Sequence, residues 1–305
     1  MEKRHDVIII GGGPAGLTAG LYTSRDLLNS LIIERGFFGG LIATAEWVEN
    51  FPGFPDGVGG FDLAQYMYRQ ATKFGLHTLN AEVTGIEIRG KDKVVKTSEG
   101  EFITRAVIIA SGSERAKLDV PGEKEYTGKG VSFCATCDAA FFKDLPVAVV
   151  GGGNAAISEA LHLTKFASKV IVVHRRDMLR ATRLLQEKAF AEPKIAFIWD
   201  TVVDGIEGAD SVKRAQLNNV KTGEKSTLEV SGIFVSTGLK PNTDFVKNIL
   251  TLDETKHIIT NDRMETVISG IFAAGDCRHN SGMQSITAAG EGAAAAMNAG
   301  KYLSE

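Results

Sequence analysis

The chain contains one strand–glycine loop–helix–strand pattern twice, and this duplication constrains its fold more than any other feature. In the first copy, a continuous β-branched and isoleucine-rich run at 7–10 leads into the glycine-rich segment 11–16. Such a run is typical of a strand buried on both faces in a parallel sheet. Residues 17–28 are compatible with a helix, and residues 30–33 predict a second strand. The pattern predicts a βαβ unit whose loop binds the phosphates of a dinucleotide.

Three glycines of the first loop have separate roles in such a unit. Gly11 permits the tight turn, Gly13 lets the backbone approach a pyrophosphate, and Gly16 lets helix and strand pack closely. The helix N-terminus offers free N–H groups and a partial positive charge to the phosphates. Glu34 follows the second strand, where a carboxylate accepts hydrogen bonds from ribose hydroxyls. The alternative is a glycine-rich turn without a ligand.

The second copy begins with an apolar strand at 147–150 and a glycine loop at 151–156. A helix is predicted over 157–166 and the next strand over 169–173. Ala156 replaces the third glycine, which this pattern tolerates. An internal duplication of a nucleotide-binding unit predicts two bound nucleotides.

The two copies differ after their second strands. Where the first has Glu34, the second has His174, Arg175 and Arg176, with Arg180 soon after. A carboxylate would repel a 2′-phosphate, whereas guanidinium groups bind one through charge-assisted hydrogen bonds. We therefore expect NADPH rather than NADH at the second site. The alternative is a solvated basic surface, and a histidine at this position can simply pack.

A cysteine pair lies between the two copies, in the segment Cys134-Ala135-Thr136-Cys137-Asp138. Alone, this spacing is compatible with half a zinc site, an ordinary buried pair or a redox centre. Two cysteines at this spacing can close a small disulfide ring, and once the ring is reduced its thiols can attack as thiolates. The adjacent carboxyl of Asp138 can transfer protons to or from them. The position between two nucleotide patterns favours the redox centre. Cys277 has no second thiol nearby in sequence and is expected to be packed and unreactive.

Four further segments fit a bound cofactor. The aromatic and glycine-rich stretches 37–41 and 49–55 suit a flat ring system, although a hydrophobic plug under a surface loop explains them equally well. A strand that ends at Gly275-Asp276 puts a carboxylate at the edge of a sheet, where it can bind a polyol chain. A helix of small residues over 288–299 can point its N-terminus at the same ligand.

Composition excludes several classes of function. The net charge of −3 gives no indication of nucleic acid or an anionic membrane as partner. No apolar run reaches the length of a membrane span. Three cysteines in 305 residues are too few for a secreted disulfide framework. We therefore expect a cytoplasmic protein.

Together, in this order and spacing, the motifs resemble the low-molecular-weight (bacterial-type) thioredoxin reductases, which are FAD- and NADPH-dependent pyridine nucleotide-disulfide oxidoreductases. The resemblance covers nearly the whole chain. It is carried by the segments 11–16, 49–53, 134–138, 151–154, 174–177 and 275–276.

The resemblance implies an α/β fold with two Rossmann-like (three-layer β/β/α) nucleotide-binding domains. Residues 1–117 and 244–305 are expected to form a discontinuous FAD domain, and residues 118–243 an inserted NADPH domain that carries the redox disulfide. It also implies a homodimer, a thioredoxin or thioredoxin-like protein as partner, and rotation of one domain against the other about the two crossings.

The resemblance also assigns site residues. Cys137 is implied to be the thiol nearer the flavin, Cys134 the thiol that attacks thioredoxin, and Asp138 the acid–base group; no metal is expected. The implied FAD contacts are Gly11, Gly13, Pro14, Ala15, Gly16, Glu34, Arg35, Gly39, Gly40, Leu41, Asn50, Val83, Ala110, Gly112, Gly275, Asp276, Met283, Gln284 and Ser285. The implied NADPH contacts are Gly151, Gly153, Asn154, Ala155, His174, Arg175, Arg176 and Arg180.

Four residues depart from the pattern of the family. Leu41 stands where Gln is usual and Met283 where Arg is common, both at implied flavin contacts. Ala139 replaces Gly after the aspartate, and Ala155 replaces Thr or Ser. The first two leave ferredoxin or NADH open as alternative electron donors, while the arginine pair favours NADPH. Besides an NADPH-dependent enzyme and one with another electron donor, a metal-binding or redox-sensing module is a third hypothesis. The sequence, however, offers no second cysteine pair to complete four ligands.

Overall fold

The computed structural model describes residues 3–45 and 47–305 and divides into two units. Unit 1 consists of Met1–Glu114 together with Lys240–Glu305, and unit 2 is the intervening segment Arg115–Leu239. Both crossings between the units lie a few residues earlier in the chain than the boundaries predicted from the sequence.

The strands follow one another along the chain as β1 (Arg4–Ile10), β2 (Ser30–Glu34), β3 (His77–Asn80), β4 (Val83–Arg89), β5 (Asp92–Thr97), β6 (Gly100–Ile109), β7 (Ser113–Arg115), β8 (Val131–Ser132), β9 (Pro146–Val150), β10 (Lys169–Val173), β11 (Ile195–Ile198), β12 (Thr201–Gly208), β13 (Val212–Asn219), β14 (Lys225–Glu229), β15 (Gly232–Val235), β16 (Leu239–Pro241) and β17 (Ile271–Ala273). The α-helices are α1 (Pro14–Arg25), α2 (Gly60–Thr72), α3 (Glu123–Tyr126), α4 (Ala135–Asp138), α5 (Asn154–Leu163), α6 (Arg183–Ala191) and α7 (Ser285–Ser304). Short 3₁₀ helices cover Gly40–Thr44, Ala139–Phe142 and Asp244–Val246.

Unit 1 is built on one mixed sheet with the strand order β3-β2-β1-β6-β5-β4, and β17 pairs with the end of β6. Strands β3, β2, β1, β6 and β17 are parallel, whereas β4 and β5 form an antiparallel ribbon. Alternate residues of β1 face opposite sides of the sheet, and both sides are buried under separate apolar clusters. This double burial explains why β1 reads as an uninterrupted apolar run rather than an alternating one.

Unit 2 contains a parallel sheet with the order β11-β10-β9-β15-β8 and a three-stranded antiparallel sheet, β12-β13-β14. Helix α5 packs in the apolar cluster on one face of the parallel sheet, and residues of the antiparallel sheet pack in the cluster on the other face. The fold prediction, an α/β chain with two Rossmann-like units, is confirmed. Within the described residues, no helix is both long and apolar enough to span a bilayer.

Candidate functional site

A disulfide joins Cys134 to Cys137 in unit 2, immediately after strand β8. Cys134 caps the N-terminus of the short helix α4, and its Sγ accepts a hydrogen bond from the backbone N–H of Cys137 at 3.2 Å. The Cys137 residue is exposed, whereas Cys134 is half-buried. The disulfide segment is therefore partly open to solvent, at Cys137 more than at Cys134.

The carboxylate that follows the disulfide is held by a buried serine. Ser132 Oγ donates to Asp138 Oδ2 at 2.7 Å and accepts from the backbone N–H of Cys134 at 3.0 Å. Ser132 is only 5% exposed. This one hydroxyl thus links the orientation of the Asp138 carboxylate to the backbone of the first cysteine. No sequence signal identified Ser132, because its role depends on the turn that brings residue 138 back over residue 132.

Helix α4, which carries the disulfide, packs against the core of unit 2. Ala135 and Ala139 are buried in the same apolar cluster as helix α5, and Phe142 packs edge-on against Phe234 with ring centroids 5.2 Å apart. Close packing of this kind resists displacement. The backbone around the disulfide therefore has a rigid support, while the Cys137 residue is exposed.

The first glycine loop has the close contacts that only glycine permits. Gly11 has φ +107°, and a Cβ at this position would collide with the carbonyl oxygen of Ala110. A Cβ on Gly16 would overlap the carbonyl oxygen of Gly11. Pro14 occupies the first turn of α1, where its missing N–H costs nothing. The loop therefore brings the N-terminus of α1 to the carboxyl ends of β1 and β6, as the sequence pattern predicts.

Glu34 lies at the end of β2 with its carboxylate across the glycine loop. Its Oε2 accepts from the backbone N–H of Gly12 at 2.7 Å, and its Oε1 accepts from that of Gly36 at 2.8 Å. Each carboxylate oxygen can accept a further hydrogen bond. Glu34 and Arg35 line a cavity of about 290 Å³ at the carboxyl edge of the unit 1 sheet.

The wall of this cavity includes residues that sequence reasoning missed. Lys240, Asn242 and Phe245 line it together with Val83, which was predicted. Asn242 is fixed to the end of the sheet, because its Nδ2 donates to the carbonyl oxygen of Ser111 at 3.0 Å and Ser111 Oγ donates to the Asn242 carbonyl oxygen at 2.7 Å. The segment after the second crossing is thus part of the unit 1 site.

The Gly275-Asp276 segment lies on the same edge of the sheet as the first glycine loop. Gly275 has φ +76°, and a Cβ there would come within 3.0 Å of the Ala15 Cβ. Its backbone N–H donates to Glu291 Oε2 at 2.7 Å. Burial, and then the Glu291 carboxylate, raise the pKa of Asp276. This carboxyl consequently binds a proton or a hydroxyl donor more readily than an exposed aspartate does.

The loops 36–41 and 49–55 are hydrogen-bonded to the first glycine loop and to the residue before α7, respectively. The backbone N–H of Gly39 donates to the Gly12 carbonyl oxygen at 2.7 Å, and Asn50 Nδ2 donates to Gln284 Oε1 at 3.0 Å. Gln284 caps α7, whose first residue is Ser285. The other residues predicted to contact the flavin nucleotide also lie in unit 1: Gly13, Gly40, Leu41, Ala110, Gly112 and Met283. Their contacts with a ligand stay predictions.

The second glycine loop in unit 2 joins β9 to α5. Gly151 has φ +151°, Gly153 caps α5, and Asn154 and Ala155 form its first turn. Asn154 Oδ1 accepts from the backbone N–H of Thr182 at 2.8 Å. The backbone N–H of Arg180 donates to the Gly152 carbonyl oxygen at 2.7 Å. The segment 180–182 is therefore hydrogen-bonded to the second glycine loop, although the two segments are distant in the sequence.

His174 lies beneath this second loop rather than on the surface. It is 4% exposed, and its ring lies so close to Gly152 that a Cβ there would come within 2.5 Å of it. Burial lowers the pKa of His174, and the guanidinium groups of Arg180, Arg176 and Arg175 lower it further. A lowered pKa favours the neutral imidazole, so His174 is suited to packing beneath the loop. A direct contact of His174 with a nucleotide stays a prediction.

Arg175, Arg176 and Arg180 are exposed at the end of β10, next to the second glycine loop. Within residues 3–45 and 47–305, none of their guanidinium groups forms an ion pair with a carboxylate. Unpaired arginines in one place are available to an anion. The same described residues contain no cluster of three or more His, Cys, Asp or Glu side chains that could hold a metal ion.

Comparison with known proteins identifies relatives that span both units. A family model described as pyridine nucleotide-disulphide oxidoreductase matches residues 5–293. The chain is 48% identical to a thioredoxin reductase of Bacillus subtilis, over 100% of this chain and 96% of that protein. It is 44% identical to a thioredoxin reductase of Peptoclostridium acidaminophilum, over 99% and 98% of the two chains.

A solved structure supports the same family assignment as these sequence relatives. The crystal structure of Lactococcus lactis thioredoxin reductase (FR conformation) superposes with a TM-score of 0.96 at 44% identity, covering 98% of this chain and 99% of that one. The resemblance that the motifs indicate is therefore confirmed.

Proposed function

Because this chain belongs to the pyridine nucleotide-disulphide oxidoreductase family, we propose that it catalyses the NADPH-dependent reduction of the thioredoxin disulfide. The observation that carries the proposal is the Cys134–Cys137 disulfide, partly exposed and followed by a carboxylate that Ser132 orients. A structural disulfide would have no need of an adjacent acid–base group. The names of the relatives at 48% and 44% identity support thioredoxin as the acceptor.

The residues of unit 1 fit FAD. A Cβ on Gly13 would meet nothing closer than the Gly40 Cα at 3.9 Å, so the loop has open space there for a pyrophosphate. Glu34 has lone pairs for ribose hydroxyls, and Asp276 has the raised pKa of a partly desolvated carboxyl. We propose that these groups hold the nucleotide, and that Asn50 and Gln284 lie beside its ring system. When bound, FAD supplies a two-electron carrier that accepts hydride from a nicotinamide and can reduce a disulfide.

The protein's own sulfur chemistry follows from the cysteine geometry. Two electrons and two protons convert Cys134–Cys137 to a dithiol. The Cys134 thiolate then attacks one sulfur of the thioredoxin disulfide, and the displaced thioredoxin thiolate takes up a proton. Cys137 attacks Cys134 in the resulting mixed disulfide, which releases the second thioredoxin thiol and restores the ring. The backbone N–H of Cys137 lies 3.2 Å from Cys134 Sγ, where it stabilises negative charge on this sulfur.

We propose that Asp138 transfers the protons in these steps. Its carboxylate comes directly after Cys137 and is fixed by the hydrogen bond from Ser132 at 2.7 Å. We expect this carboxyl to give a proton to one departing sulfur and to accept one from the next, as a general acid–base group does. Ser132 acts here as a positioning residue, since it contacts the carboxylate rather than a sulfur atom.

The second nucleotide site is proposed to bind NADPH through its 2′-phosphate. Arg175, Arg176 and Arg180 surround the end of β10 without carboxylate partners in the part of the chain that the structure describes. A phosphate dianion between such guanidinium groups forms short charge-assisted hydrogen bonds. NADH lacks this phosphate and so gains nothing from the arginines.

Replacing both Arg175 and Arg176 by Ala is expected to raise the KM for NADPH by about 10²-fold, because two charged hydrogen-bond donors are lost. The KM for NADH should change little. Steady-state rates with both donors measure this, and Arg183→Ala, an exposed arginine at the start of α6, is the matched control. An equal rate with NADH in the unmodified protein, with no loss in the double variant, would contradict NADPH as the donor.

The proposed activity is tested by a matrix of donors and acceptors. Purified protein is expected to be yellow, to be bleached by NADPH, and to reduce thioredoxin faster than a small aromatic disulfide. NADPH, NADH and reduced ferredoxin are each supplied to it in turn. Faster turnover with ferredoxin would favour the alternative donor that Leu41 and Met283 leave open. A folded protein that never binds saturating flavin would contradict the proposal as a whole.

We propose further that the chain forms a homodimer. Helices α1 and α7 expose the large apolar side chains Tyr22 and Met297, which line a shallow cavity of about 310 Å³ with Arg25 and Asp26. An exposed apolar surface rimmed by charges is typical of an interface. Sedimentation equilibrium is expected to give twice the chain mass of 32.6 kDa, and the mass of one chain would contradict a dimer.

A cytoplasmic location is part of the same proposal. The only cysteine beyond the redox pair is Cys277, which is buried, so the protein has no disulfide that needs an oxidising compartment. Cell fractionation tests the location, and recovery in a secreted fraction would contradict it.

A further inference from the structure

The segment 174–180 contains one carboxylate among its cationic groups, that of Asp177. This residue follows Arg176 directly and is exposed, with 62% of its side chain accessible. A carboxylate beside a phosphate site opposes binding in two ways. It repels the phosphate, and it can pair with the arginines that the phosphate needs.

Lys221 pairs with this carboxylate, since its Nζ lies 3.1 Å from Asp177 Oδ2. The same Nζ lies 3.0 Å from Asp200 Oδ1, so one ammonium group bridges two carboxylates. The hydrogen bond from Lys221 lowers the pKa of Asp177. Asp200 first, and then Asp177, raise the pKa of Lys221. Both partners thus remain charged near neutral pH.

The backbone holds Lys221 in this position. Lys221 lies in the turn between β13 and β14, next to Val220, whose N–H donates to the Asp200 carbonyl oxygen at 2.6 Å. The N–H of Asp200 donates in turn to the Arg176 carbonyl oxygen at 3.2 Å. The turn is therefore hydrogen-bonded, through Asp200, to the arginine segment itself.

We propose that Lys221 is a positioning residue for 2′-phosphate recognition, which neutralises Asp177 and so leaves Arg175, Arg176 and Arg180 free for the phosphate. The inference rests on the proposed use of NADPH at this site. An ion pair this exposed contributes little to folding stability. Its consequence is therefore expected in the selectivity of binding rather than in the fold.

The test measures the contribution of the 2′-phosphate alone. The FAD-loaded, oxidised protein is titrated by calorimetry with 2′,5′-ADP and with 5′-AMP, which differ only in that phosphate. Lys221→Gln is expected to weaken binding of 2′,5′-ADP by about fivefold, because it leaves two carboxylates unneutralised near a dianion. Binding of 5′-AMP should not change. Lys225→Gln is the matched control, since Lys225 is also exposed and pairs with Asp204 of β12 at 3.3 Å.

The Asp177→Asn background separates an effect through Asp177 from a direct effect of the Lys221 charge on the phosphate. There, Lys221→Gln is expected to cost less than in the unmodified protein, because no carboxylate remains at position 177 to pair with the arginines. An equal loss in both backgrounds would mean that the Lys221 charge acts on the phosphate independently of Asp177 and would overturn the inference, as would an unchanged 2′,5′-ADP affinity in Lys221→Gln. An unmodified protein that binds 5′-AMP as tightly as 2′,5′-ADP would instead overturn NADPH recognition at this site, and this inference with it.

Discussion

Replacing Cys137 by serine is expected to give a folded, yellow protein that NADPH still bleaches but that reduces thioredoxin at least about 10³-fold more slowly. The substitution removes one sulfur of the only disulfide in the described residues, so the protein cannot store two electrons as a dithiol. The fold should survive, because the helix that carries the disulfide is held by buried Ala135, Ala139 and Phe142 rather than by the sulfur atoms.

The Cys137→Ser variant should also trap an intermediate. Cys134 retains its thiol and can attack thioredoxin, but no second reductase thiol remains to resolve the mixed disulfide in the forward direction. Only the displaced thioredoxin thiol can break it, by reversing the attack, and acid quenching before analysis stops that step by protonating the thiolate. Mass spectrometry is expected to detect a covalent complex with thioredoxin in Cys137→Ser and none in Cys134→Ser. Cys277→Ser is the control, because burial raises the pKa of that thiol to about 11 and keeps it unreactive. A complex formed only by Cys134→Ser would reverse the roles assigned to the two cysteines.

Replacing Asp138 by asparagine is expected to slow thioredoxin reduction by about 10²-fold or more, within the range of general acid–base catalysis. Asparagine keeps the shape of the side chain and can still accept the Ser132 hydrogen bond of 2.7 Å, but it cannot transfer a proton. Flavin content and NADPH binding should not change. The effect is therefore expected in kcat for thioredoxin rather than in the KM for NADPH.

The matched control for this variant is Asp144→Asn. Asp144 is an exposed aspartate with φ +59°, a backbone conformation that asparagine adopts as readily as aspartate. Stopped-flow absorbance with thioredoxin gives the rate in each variant. Full activity in Asp138→Asn would assign proton transfer to solvent or to another group.

The sequence predicted the features that depend on short-range geometry. Few structures other than a βαβ unit are compatible with a strand buried on both faces and followed by glycines at fixed spacing. The positions of β1 and β10 were therefore predicted correctly, and the two-unit α/β fold is confirmed. The contact of Gly16 with Gly11 is of this kind, because both residues belong to one turn. The cysteine spacing likewise allowed the ring that the structure contains.

Features that depend on distant segments were not predicted. Lys240, Asn242 and Phe245 line the unit 1 cavity only because the chain returns to that sheet after the second crossing. Lys221 reaches Asp177 from a turn 44 residues away. None of these four positions carries a periodic or glycine signal. Ser132 illustrates a third limit, since one buried hydroxyl is indistinguishable in sequence from many others.

The central claim is that electrons reach thioredoxin through the sulfur atoms of residues 134 and 137. Anaerobic rapid quenching with iodoacetamide, followed by peptide mass spectrometry, tests it most directly. One equivalent of NADPH should make both cysteines alkylatable, and one equivalent of oxidised thioredoxin should protect them again, with Cys277 unlabelled throughout. Thioredoxin that becomes reduced while Cys134 and Cys137 never become alkylatable would contradict the account.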